Sequence, residues 1–181
     1  MAVEKIWKIR EVADKETVRQ LASELGVDPV LAELLVQRGV HTFEQARSFF
    51  RPSLENLHDP FLMQDMDKAV ERINGAIFDG ERICVYGDYD CDGVTSTTIL
   101  YSYLEAQGAD VTYMLPERER DGYGLSNQVV DRIAATGTKL IVTVDNGISS
   151  VEEAKYIKEK GMELVVTDHH LEGDELPDCV A

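Results

Sequence analysis

The chain has 181 residues, 44% of them hydrophobic, and a formal net charge of −16 from 34 acidic and 18 basic side chains. That length and apolar content exclude a disordered chain and suit one α/β domain with a smaller appendage. The charge excludes a general nucleic-acid coat, because a phosphate backbone attracts clustered Lys and Arg and repels an acidic surface.

The N-terminal run from Met1 to Trp7 lacks the charged and apolar regions of a signal peptide, and no apolar segment is long enough to span a bilayer. A cytoplasmic chain with no membrane partner is expected. Cys84, Cys91 and Cys179 are odd in number and show no C-x-x-C pairing, so neither a disulfide framework nor a cysteine zinc site is supported.

In chain order, short helical patterns cover 15–25, 29–38 and 42–50, the last opened by Thr42 as N-cap with Glu44 and Gln45 in the first turn. A Pro-containing polar loop follows over 51–60. Residues 65–78 then form a longer amphipathic helix, with Met66, Ala69, Val70, Ile73 and Ile77 at core-facing spacing and Gly80 as its stop. From there strand and helix alternate: strands at 83–87, 110–115, 140–144 and 163–167, helices at 94–107, 126–136 and 150–160. The expected fold is α/β, a parallel Rossmann-like sheet with helices on both faces, preceded by a small helical N-terminal region. The expected domains are 1–60 for the helical lead-in and 61–181 for the sheet. A new apolar segment opens over 176–181, which reads as a domain truncated at its C-terminal end.

The most informative stretch follows the first strand. Asp88, Asp90 and Asp92 place three carboxylates on alternate residues, and anions this close are hard to keep ionised without a cation between them. Asp145-Asn146-Gly147 follows the third strand and Asp168-His169-His170 the fourth, so an acidic tip recurs at the strand ends where open α/β sheets bind ligands. An EF-hand reading fails, since the twelfth loop position, counted from Asp88, is Ile99 where a bidentate Glu is required. No phosphate-binding glycine loop follows the first strand. A receiver-type pocket would also gather carboxylates around Mg2+ but leaves the paired histidines unexplained. Imidazole beside carboxylate points to a transition metal, Mn2+ being favoured by the many oxygen donors, and the number of donors exceeds the needs of one ion.

The segments 85–96, 143–149 and 166–170, in this order, resemble the DHH phosphoesterase superfamily. The segment 115–126, Leu-Pro-Glu-Arg-Glu-Arg-Asp-Gly-Tyr-Gly-Leu-Ser, is similar to its RecJ branch of 5′-to-3′ exonucleases specific for single-stranded DNA, as are Arg38-Gly39-Val40, 49–52 and 59–61 in the lead-in. The resemblance implies two Mn2+ ions, with Mg2+ as an alternative. Asp90 and Asp92 are then ligands of the first ion with Asp88 completing the site, Asp145 bridges both ions, and His169 binds the second. His170 faces the scissile phosphate as a catalytic residue alongside Asp145, and Asp168 orients a histidine from behind. Many relatives carry His where this chain has Tyr86.

Arg118 and Arg120 are candidates for phosphate contact, against the plainer reading that they pair with Glu117, Glu119 or Asp121. Tyr123 either stacks on a base or packs, and Gly122 and Gly124 turn the backbone toward substrate. Asn146 and Gly147 read as turn residues. The implied activity is metal-dependent hydrolysis of single-stranded DNA from the 5′ end in repair and recombination, with repair or replication proteins as further partners. A fourth metal-binding Asp and a C-terminal domain are implied beyond Ala181, so little activity is expected from these residues alone. Two other readings use the same residues: a phosphodiesterase or pyrophosphatase for short oligonucleotides, cyclic dinucleotides or pyrophosphate, and a non-catalytic relative that binds DNA or a replication partner.

Overall fold

The computed structural model describes residues 14–117 and 124–181 together with Ile6, Lys8 and Gly122. The chain divides into two compact units, Met1–Asp59 and Pro60–Ala181.

The first unit is helical: α1 spans Lys15–Leu25, α2 Pro29–Val36 and α3 Phe43–Phe50. Each helix starts where a side-chain oxygen captures an otherwise unpaired N–H. Asp14 accepts from Glu16 and Thr17, Asp28 from Val30, and Thr42 from Gln45 in a reciprocal capping box. Leu21, Ala32, Leu35 and Ala46 are buried together at their junction, which makes this unit a small core of its own.

In the second unit α4 (Met66–Asp79) leads into β1 (Ile83–Tyr86), α5 (Cys91–Ala106), β2 (Val111–Met114), α6 (Asn127–Ala134), β3 (Leu140–Val144), α7 (Val151–Glu159) and β4 (Glu163–Thr167). All neighbouring strands are parallel, in the order β2-β1-β3-β4. Successive residues of a strand point to opposite faces, and both faces are covered. Ile83, Val85, Leu140, Val142 and Val165 pack with Ala69 and Ala76 of α4 and Leu104 of α5. Cys84, Tyr86, Ile141 and Leu164 pack with Val129, Val130 and Ile133 of α6 and Ala154 and Ile157 of α7. That two-sided burial is why the central strands β1 and β3 are almost wholly apolar and do not alternate with polar residues, whereas the edge strands β2 and β4 each carry an exposed position, Tyr113 and Glu163.

The strand order matters for function. From β1 the chain crosses to β2 on one side and then returns to β3 on the other, which makes the β1/β3 junction the topological switch point, where a crevice opens at the carboxyl ends of the strands.

Candidate metal centre

Gly87 and Gly93 allow the turn after β1 to fold tightly. A Cβ on Gly93 would collide with the backbone of Asp88, and one on Gly87 with the hydroxyl of Thr97. The turn ends at Asp90, whose Oδ1 accepts the N–H groups of Asp92 and Gly93, both at 3.0 Å, and so caps α5. The helix therefore starts at Cys91, three residues earlier than its apolar pattern suggests, because the capping carboxylate lies inside the acidic cluster. Asp88 is buried and accepts the N–H of Tyr89 at 2.7 Å.

Asp145 follows β3 with φ of 62°, in the left-handed region that residues with a Cβ enter at a cost. Its N–H donates to Thr167 of β4 at 2.9 Å. Its side chain is 6% exposed; Oδ1 lies 2.8 Å from Nε2 of His169, while Oδ2 is buried with no hydrogen-bond donor. Burial pushes this carboxyl above its usual range, the contact with His169 opposes that, and the Asp90 carboxylate adds to it. Asp90 is held low, chiefly by the Gly93 N–H.

After β4, Asp168 is a hub. Its Oδ2 accepts the N–H of Ile148 at 3.0 Å; its Oδ1 accepts the N–H groups of His169 and His170 and lies 2.7 Å from Nδ1 of His170. Burial works to raise Asp168, but these hydrogen bonds outweigh it and hold the carboxyl below its usual range. Asp168 in turn holds His170 above the ordinary imidazole value. A carboxylate that fixes one ring nitrogen and leaves the other exposed is the usual support for a metal-facing histidine.

Among the described residues two groups of three place one donor atom each within 4.8 Å of one another: Asp88, Asp90 and Asp145; and Asp145, His169 and His170. Asp145 is common to both. Asp92 joins neither group and lies exposed in the first turn of α5. Arg118, Arg120 and Tyr123 lie outside the described residues. Gly124 is buried, and its carbonyl accepts a 2.8 Å hydrogen bond from the hydroxyl of Tyr86. Asn146, expected as a turn residue, is wholly buried and donates to Tyr86 and Val144 carbonyls on two different strands. Composition carries no signal for that bridge, since it requires knowing that β1 and β3 are neighbours.

The donor set suits divalent cations. Carboxylates and imidazoles converge, one carboxylate oxygen is buried without a donor, and the carboxylates of Asp90 and Asp145 repel each other in the absence of a positive charge.

Residues 82–181 match the family model described as DHH family, N-terminal domain. The chain belongs to the DHH family. This DHH chain is 43% identical over 175 residues to the single-stranded-DNA-specific exonuclease RecJ of Bacillus subtilis, covering 97% of the chain and 22% of that protein. It is 45% identical over 154 residues to the RecJ of Salmonella typhimurium, covering 84% of the chain and 26% of that protein. The crystal structure of Thermus thermophilus RecJ in complex with Mn2+ superposes with a TM-score of 0.69 at 30% identity, covering 96% of the DHH chain and 24% of the other. The DHH chain thus spans about a quarter of the length of the curated relatives it matches. Among its described residues no helix is long and apolar enough to cross a membrane.

Proposed function

We propose that this chain carries the metal-holding sheet edge of an exonuclease that hydrolyses single-stranded DNA from its 5′ end. The observation that carries the reading is Asp145, whose one carboxylate belongs to both donor groups at the switch point of the sheet. Similarity to RecJ proteins over nearly the whole chain supports the choice of substrate. Because the chain spans about a quarter of those proteins, the activity is assigned to the whole protein and not to these residues alone.

The residues fit two divalent cations, Mn2+ first and Mg2+ as an alternative. Asp88, Asp90 and Asp145 would hold one and Asp145 and His169 the other, with His170 beside the second as the group turned to the phosphate; Asp92 stays outside, where the helix start leaves it. When bound, such a pair supplies an activated water and neutralises charge growing on phosphate oxygens. The chain's own groups do the rest. Asp168 fixes the ring of His170 through Nδ1, so that its half-exposed outer edge faces the crevice and the scissile phosphate. Arg118 and Arg120, placed by motif position after β2, are assigned to phosphate oxygens, where a guanidinium forks onto two acceptors. Tyr123 is assigned to base stacking. Repair or replication proteins are assigned as partners and the cytoplasm as location.

The test is a length series of 5′-labelled single strands, with a duplex and a dinucleotide as controls, given to the full-length protein with Mn2+. Stepwise loss of single strands from the 5′ end is expected. Preference for the dinucleotide would replace this reading with a small-substrate phosphodiesterase.

A further inference from the structure

We propose that Asn146 is the positioning residue of this centre: by tying β1 to β3 it holds Asp145 in the left-handed conformation that presents one carboxylate to both donor groups. The proposal deepens the two-cation reading and rests on it for its consequence, though not for its geometry.

A residue with a Cβ keeps a left-handed backbone only where its surroundings over-determine it, and Asp145, at φ of 62°, needs such surroundings. One constraint is the N–H of Asp145 on the Thr167 carbonyl. The other is the next side chain. Nδ2 of Asn146 donates to the Val144 carbonyl at 3.0 Å and to the Tyr86 carbonyl at 3.3 Å. Two acceptors can be served only by the amide NH2, so chemistry fixes which way the amide points. Val144 ends β3 and Tyr86 ends β1, the two strands that flank the switch point. The amide therefore spans the floor of the crevice just below Asp88 and Asp145.

A turn-forming Asn would be exposed and bonded to its own loop. Asn146 is fully buried, bonds a carbonyl 60 residues away, and leaves its Oδ1 buried without a donor. An unpaired buried acceptor is an expense that a plain turn has no reason to carry. Beyond it, Gly147 at φ of 112° passes so close to β3 that a Cβ there would lie 2.6 Å from the Thr143 hydroxyl, which keeps the chain from relaxing on that side. Release of the Asn146 bridge lets residue 145 rotate toward the extended region. That rotation swings its Cβ and carboxylate out of the place between Asp90 and His169.

The test compares the chain with Asn146→Ala and Asn146→Ser, first without metal. The 13Cα and 13Cβ shifts of Asp145 report its backbone region; in Asn146→Ala the left-handed signature should be lost while the thermal transition stays cooperative. Mn2+, titrated with the free ion followed by EPR, should then bind at least tenfold more weakly. Asn146→Ser, whose hydroxyl can return one donation, should lie between, and it supplies the same readouts if the Ala variant does not fold. Unchanged Asp145 shifts in both variants would overturn the proposal, as would altered shifts with unchanged Mn2+ affinity, which is what a merely structural Asn146 gives. If the parent chain binds no Mn2+, the two-cation reading fails, and the metal-free shifts still decide the role of Asn146.

Discussion

The hydroxyl of Tyr86, fully buried at the last residue of β1, donates a 2.8 Å hydrogen bond to the carbonyl oxygen of Gly124, three residues before the start of α6. A side chain at the tip of β1 thus anchors Gly124, which lies between β2 and α6 in the chain. Tyr86→Phe keeps the ring in its apolar packing and deletes that bond, at a cost of about 1 kcal/mol. Mn2+ affinity is expected to stay within about twofold, while the KM of the full-length protein for single-stranded DNA rises, because Gly124, a candidate for substrate contact, loses its anchor. Calorimetric Mn2+ titration and steady-state kinetics check both. A large loss of Mn2+ affinity would instead put Tyr86 among the metal-facing groups.

Two glycines with different surroundings give a paired prediction. Gly93 lies against the backbone of Asp88, so an added methyl must push α5 away from the tip of β1. Gly108, at φ of +80°, has open space around its Cβ position. Gly108→Ala should cost about 1 kcal/mol through the left-handed backbone alone, whereas Gly93→Ala should cost about 3 kcal/mol through overpacking. Urea unfolding of the two variants decides the matter, and equal losses would mean that the close approach of β1 and α5 is not tight.

The sheet was legible because its strands are buried on both faces. The run from Leu140 to Val144 is interrupted only by the buried Thr143, and the four observed strands fall within a residue of the ends read from the sequence. The start of α5 was less so. Asp90 reads from the sequence as one of three loop carboxylates, and only its two backbone hydrogen bonds show it as the cap of α5, which carries Asp92 into the helix and out of the donor groups. Asn146 was illegible for a different reason. An Asn between Asp and Gly fits any turn, and what sets it apart is a carbonyl supplied by a strand 60 residues earlier.

Alkaline pH tests the burial of β1 directly. Desolvation pushes the Cys84 thiol from 9.0 up to about 11, with the contact to Thr112 opposing. The folded chain keeps this thiol neutral while the unfolded chain ionises it, so protons are lost on unfolding. Stability from this group is whole below about pH 9 and falls away as pH rises toward about 11. Its full loss amounts to ~3 kcal/mol. Denaturation midpoints measured across that window should drop more in the parent chain than in Cys84→Val, which has nothing to ionise there. Parallel curves would place the thiol in contact with water.

Asp145 sets stability against function. Its carboxylate is buried, raised by desolvation and by the facing Asp90, left with an unpaired Oδ2, and carried on a left-handed backbone. Without a cation, each of these is a cost to the folded chain. Asp145→Asn removes the charge, keeps the shape, offers an NH2 to the Asp90 carboxylate, and suits a residue type that tolerates the left-handed region. The metal-free variant is therefore expected to be more stable than the parent by about 1 kcal/mol, as is common when a functional carboxylate is neutralised. The same change should empty the centre, because the one carboxylate shared by both groups becomes a weak, neutral ligand: Mn2+ stoichiometry should fall below two, and nuclease activity of the full-length protein should be abolished. Thermal melts with and without Mn2+ read both effects, since the parent should gain stability from the ion and the variant should not. A variant that is less stable without metal, or that still binds two Mn2+ ions, would remove Asp145 from its shared position.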